Sequence, residues 1–103
     1  MSKIDQINEL LKENPSDSFL QHALALEYAK AGQEQEAKLV FEKLLSANPD
    51  YVGSYYHLAK LYEKLGEEQQ AIIVYEKGMD VAKALNDTHA YSELKSAYEY
   101  LIY

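Results

Sequence analysis

The sequence predicts an all-α protein, a solenoid of antiparallel helix pairs, and three observations carry the prediction. Apolar residues recur at helical spacing along almost the whole chain, and nowhere do they alternate with a period of two over the length of a strand. Residues 27–43, EYAKAGQEQEAKLVFEK, return nearly unchanged as residues 61–77, LYEKLGEEQQAIIVYEK, at a spacing of 34. The helix-stopping pairs Asn14-Pro15 and Asn48-Pro49 stand the same 34 residues apart.

Punctuation at Asn14-Pro15, Gly32, Asn48-Pro49, Gly66 and Asn86-Asp87-Thr88 divides the chain into six helical segments. The first, over 3–13, carries Ile4, Ile7, Leu10 and Leu11 on one face. Ser16 or Asp17 is placed to cap the second, over 17–31, whose stripe is Leu20, Ala23, Leu24 and Tyr28 and whose end Gly32 supplies. The third, over 34–47, turns Ala37, Val40, Phe41, Leu44 and Leu45 inward and stops before Pro49. The fourth, over 51–65, presents Tyr55, Leu58, Ala59 and Tyr62 before Gly66.

The fifth segment, over 68–84, repeats the third with Ala71, Val74, Tyr75 and Met79. It runs on through Val81, Ala82 and Leu85, because Lys83 stands where a third proline would fall. The last, over 88–102, follows an Asn-Asp-Thr capping cluster. Its stripe is Ala90, Tyr91, Leu94, Ala97, Tyr98 and Leu101, with Tyr100, Ile102 and Tyr103 outside it. The expected organisation is one domain over 1–103: a half repeat at 3–15, whole repeats at 18–51 and 52–85, and a capping helix at 88–102.

Composition narrows the function. A chain of 103 residues with 48% hydrophobic and 26% charged residues is that of an ordinary soluble domain. A net charge of −7 repels nucleic-acid phosphate and leaves no basic stripe, which argues against a nucleic-acid partner. The lack of cysteine removes disulfides, thiolate nucleophiles and Cys-based metal sites. MSKIDQINELLKENP has no continuous apolar run, so no signal peptide is expected, nor a membrane span, and the expected location is cytoplasmic.

No reactive constellation emerges either. His22, His57 and His89 are not spaced as metal ligands, and Glu67-Glu68 lies at a helix start where carboxylates favour the macrodipole. The glycines are isolated turn residues and form no phosphate-cradling loop. The expectation is therefore no enzyme, no cofactor and no metal.

These residues resemble the tetratricopeptide repeat family. The first whole repeat matches its pattern at Leu24, Ala25, Tyr28, Gly32, Ala37, Phe41 and Pro49, and the second at Tyr55, Leu58, Ala59, Tyr62, Gly66, Ala71 and Tyr75. Gln21 departs from it where an aromatic is usual, Leu44 and Gly78 where alanine is usual, and Lys83 where proline is usual. Gly78 costs about 1 kcal/mol of helix propensity relative to alanine, which points to a close contact there.

The resemblance implies a right-handed α-solenoid whose first helices line a concave groove for a peptide. At groove positions stand Phe19, His22, Leu26 and Lys30, then Gly53, Tyr56, Lys60 and Lys64. Aromatic and basic residues there, in an acidic protein, suggest a protein or peptide partner with acidic and apolar residues. Some family members clamp the C-terminal carboxylate of chaperones with Lys, Asn and Arg; His22, Leu26 and His57 at clamp positions make that ligand unexpected. The implied function is a non-catalytic interaction module or adaptor. The alternative is self-association, as a homodimer or larger assembly, through Tyr100, Ile102 and Tyr103.

Overall fold

A computed structural model describes residues 1–103 as six helices and no strand. They fall into two compact units, Met1–Asn48 and Pro49–Tyr103, so the division lies at the second Asn-Pro pair.

The first unit holds α1 (Lys3–Glu13), α2 (Ser18–Lys30) and α3 (Glu34–Ala47). A capping box opens α1: the Asp5 N–H donates to Ser2 Oγ at 3.1 Å while the Ser2 N–H reaches an Asp5 carboxylate oxygen at 3.5 Å. Asp17, not Ser16, caps α2, accepting from the Leu20 N–H at 3.0 Å, and so stands just outside the helix. At the far end Gly32, at φ +78°, takes the left-handed conformation that costs other residues a Cβ clash. Its N–H donates to the Ala29 carbonyl and the Gln33 N–H to the Tyr28 carbonyl, at 3.1 and 2.9 Å, which satisfies two otherwise orphaned acceptors. Both α1 and α3 end in a non-helical asparagine, Asn14 and Asn48, because the following proline disfavours the helical conformation.

α2 packs on α3, and α1 on α2. Ala25 and Ala37 are completely buried, as are Phe41 and Leu44. Asn48 Nδ2 donates to Ser18 Oγ at 3.0 Å, tying the end of α3 to the start of α2. Gln21 Nε2 donates to the Pro15 carbonyl at 2.8 Å. α1 is amphipathic but buries no residue, and Leu10, assigned to its packed face above, is 51% exposed. Periodicity orients that face; nothing in this unit covers it at Leu10.

The second unit holds α4 (Gly53–Lys64), α5 (Glu68–Ala84) and α6 (Thr88–Ile102). α4 begins two residues later than its pattern, since Tyr51 and Val52 form a tighter turn whose carbonyls accept from the Ser54 and Tyr55 N–H groups. Tyr55, Leu58, Ala59 and Tyr62 are buried, and α4 packs on α5. The Tyr55 hydroxyl donates to the Pro49 carbonyl at 2.6 Å. Gly66, at φ +78°, repeats the turn of Gly32.

The third turn has the same bonding but another residue. Asn86 sits at φ +58°, its N–H donates to the Lys83 carbonyl at 3.1 Å, and the Asp87 N–H donates to the Ala82 carbonyl at 2.9 Å. The side chain of Asp87 then caps α6 through the Ala90 N–H at 3.0 Å. Leu85 closes α5 and is 46% exposed.

α5 packs on both α4 and α6, and Gly78 lies at the crossing. A Cβ there would stand 2.7 Å from the Tyr55 Cβ and 3.0 Å from the Leu94 Cδ1. Tyr55 Cβ is fixed to its backbone, so α4 would have to move. Alanine at 78 gains about 1 kcal/mol of helix propensity but overpacks the crossing at a cost of about 1–3 kcal/mol. Gly78→Ala is therefore expected to lower the urea midpoint; a variant as stable as wild type would show that the helices separate freely.

Candidate functional site

One concave surface of the second unit lies between α4 and α6. Tyr56 and Lys60 of α4 and Glu93, Ser96, Ala97 and Tyr100 of α6 line a cleft of about 400 Å³. The α4 residues project there because the opposite face of the helix, with Leu58, Ala59 and Tyr62, is committed to packing. Tyr100, 87% exposed, stands at the lip.

Lys60 is held on two sides. Its ammonium lies 5.7 Å from the centroid of the Tyr56 ring and 3.7 Å from a Glu63 carboxylate oxygen. The same carboxylate oxygen accepts a short hydrogen bond from the Tyr75 hydroxyl of α5. Burial first, and then the Glu63 bond and charge, push the Tyr75 phenol far above the usual tyrosine range. A fully buried core residue thus fixes a carboxylate, which in turn orients a surface cation.

His57, beside Tyr56, meets its ring edge-on at 5.6 Å between centroids. Burial pulls the imidazole below its ordinary range, and the Glu93 charge offsets this in part.

In the first unit, Phe19 projects from the first turn of α2 and is 70% exposed. His22 packs edge-on against Phe41, with ring centroids 5.5 Å apart. Leu26 is half-buried, and Lys30 pairs with Glu27 at 3.3 Å. Lys64 is exposed, as is Gly53, which has no atom within 4 Å of where a Cβ would lie. Ile102 and Tyr103 are exposed at the end of α6 and do not line the cleft.

Sequence reasoning placed Tyr56 and Lys60 on one surface and Tyr100 on another, whereas the cleft brings the three together. Glu93, Ser96 and Ala97 were absent from the candidates. A signal for Ser96 exists: Tyr91, Leu94 and Tyr98 echo Tyr55, Leu58 and Tyr62 at a constant spacing of 36, which puts Ser96 and Tyr100 in the register of Lys60 and Lys64. Glu63 and Tyr75 gave no comparable signal, because their link crosses from α4 to α5.

Residues 28–98 match the family profile described as tetratricopeptide repeat. The chain belongs to the tetratricopeptide repeat family. The crystal structure of a tetratricopeptide repeat domain protein from Salinibacter ruber is 41% identical, with 82% of this chain and 94% of that one covered at a TM-score of 0.80. A solution structure of a tetratricopeptide repeat domain protein from the same organism gives 41% identity, coverage of 85% and 89%, and a TM-score of 0.82. A protein from Bordetella parapertussis, 21% identical, shares the fold at a TM-score of 0.84 over 98% of this chain and 88% of its own. No curated protein matches the chain.

Tetratricopeptide repeats generally mediate protein–protein interaction and are typically non-catalytic. No group of three or more His, Cys, Asp or Glu residues is placed to hold a metal ion, and no helix is long and apolar enough to cross a membrane.

The lowered His57 value has a consequence for this tetratricopeptide repeat chain. Just below about pH 6.5 the unfolded chain protonates at this residue while the folded one does not. Stability is therefore fully present above that value and is lost as the pH falls through the lower folded value. Urea unfolding over a falling pH series should show the loss, and His57→Gln should flatten it; an unaltered slope in the variant would assign the loss to other groups.

Proposed function

We propose that the chain is a non-catalytic module that binds a protein or peptide segment, with the α4–α6 cleft as its principal contact. The observation that carries this reading is the pre-oriented Lys60 beside two aromatic rings, Tyr56 and Tyr100, in one concavity. Tyrosine supplies large contact area at little entropic cost, and a held cation selects for a carboxylate. Glu93 on the opposite wall sets direction: an acidic residue of the ligand belongs on the Lys60 side and a neutral or basic one on the α6 side.

Phe19, His22, Leu26 and Lys30 occupy the corresponding register of α2, and Gly53 and Lys64 that of α4. Of these, Phe19 is the strongest apolar anchor by exposure, and His22 the weakest candidate, since Phe41 already engages it. The self-association reading, through Tyr100, Ile102 and Tyr103, claims Tyr100 for a second surface. The cleft geometry favours the ligand over it.

Two variants test the reading. Tyr56→Ala with Tyr100→Ala is expected to weaken capture of a retained partner by about 10–100-fold, as loss of central aromatic anchors does. Lys60→Glu with Lys64→Glu is expected to shift preference from acidic towards basic peptides on an immobilised array. Partners retained equally by wild type and both variants would remove the cleft from consideration.

A further inference from the structure

Gln21 of α2 and Tyr55 of α4 hold the same repeat position, 34 residues apart, and their side chains differ by an aromatic ring. In the second unit the ring is built in. Tyr55 is 4% exposed, its hydroxyl donates to the Pro49 carbonyl at 2.6 Å, and its Cγ lies so near α5 that a Cβ at Gly78 would stand 3.0 Å from it. In the first unit Gln21 makes the equivalent bond with its amide, Nε2 donating to the Pro15 carbonyl at 2.8 Å, and brings no ring.

The space around Gln21 shows the difference. A concavity of about 270 Å³ opens there, with Leu11 of α1, Leu24 of α2 and Val40 of α3 as its apolar wall and Pro15 and Gln21 beside them. A cavity of about 150 Å³ lined by apolar side chains already admits a benzene ring. Leu44, which stands in the register of Gly78, is completely buried, but it takes no part in the lining and does not close the concavity.

We propose that this concavity binds a tyrosine side chain of a partner protein, which supplies from outside the ring that Tyr55 supplies in the second unit. Leu11, Leu24 and Val40 receive the ring. A carbonyl oxygen has two lone pairs, so Pro15 can accept from the phenol hydroxyl while it holds Gln21. Lys43, exposed and part of the same lining, favours a carboxylate beside that tyrosine in the partner. None of these residues lines the α4–α6 cleft, so the site stands or falls apart from the reading given for that cleft.

The test is a methyl-labelled NMR titration of the full chain with N-acetyl-Asp-Tyr-amide. Ring currents are expected to shift the methyl signals of Leu11, Leu24 and Val40, with a dissociation constant on the order of 1 mM for so small a probe. The analogue with leucine in place of tyrosine should bind at least about tenfold more weakly, and Lys43→Glu should weaken the tyrosine probe by about two- to fivefold. Gln21→Tyr places the chain's own ring in the concavity, with Tyr55 as its precedent, and should abolish the shifts in a chain that circular dichroism reports as folded. Val40→Phe fills the same space from α3 and should do likewise. Wild-type methyl signals that stay still, a leucine analogue that binds equally well, or undiminished shifts in a folded Gln21→Tyr or Val40→Phe chain would overturn the proposal. So would shifts of the same methyls on raising the protein concentration alone, which would seat a tyrosine of a second copy there instead.

Discussion

The separation at which two helices of a pair meet governs the rest of this structure. It is set by alanines: Ala25 and Ala37 in one pair, Ala59 and Ala71 in the other, all without exposed surface. Close approach at these points leaves gaps of a fixed size beside them, which Phe41 and Tyr75 fill completely. Truncating such an aromatic costs about 3–5 kcal/mol, a large share of the roughly 5–15 kcal/mol that holds a domain folded. The strict recurrence of small and aromatic residues, against drift elsewhere, follows from that proportion. Gly78 takes the same logic one step further, to a helix that is flanked on two sides.

The core also reaches the surface through a defined path. Tyr75 is a packing residue by its ring and a positioning residue by its hydroxyl, which holds Glu63 and through it Lys60. A lysine on an open helix face spends its rotamer freedom when a ligand arrives; Lys60 has already lost part of it. The chemistry of the cleft is therefore not independent of the scaffold, and the two tyrosines at repeat-related roles, one buried and one lining, serve a single cation.

How much of this was legible depended on whether the signal was local. Glycine and Asn-Pro pairs act within a few residues, so the six helices could be placed from them, with α2 and α4 trimmed only at their ends. Asn86 escaped because asparagine caps a helix start as readily as it closes a helix end, and Asp87 took the capping role. The exposure of Leu10 escaped because apolar spacing names a face without naming its cover. Gly78 was legible as an anomaly, but its neighbours Tyr55 and Leu94 come from other helices. In the cleft, Tyr56 and Lys60 followed from repeat register, while Ser96 and Tyr100 needed a spacing of 36, lengthened because α5 runs past the usual stop.

One pair of hydrogen bonds bears on how such repeats diverge. Gln21 and Tyr55 occupy the same register, and each donates to the carbonyl of the proline that precedes it, Pro15 and Pro49. An amide and a phenol have little in common beyond a donor at similar reach from the backbone. What is inherited at this position is then an unsatisfied main-chain acceptor beyond a helix end, and the side chain is whichever answer a given repeat found. Substitution tables score the exchange of tyrosine for glutamine as a loss of identity, yet each side chain meets the same proline carbonyl.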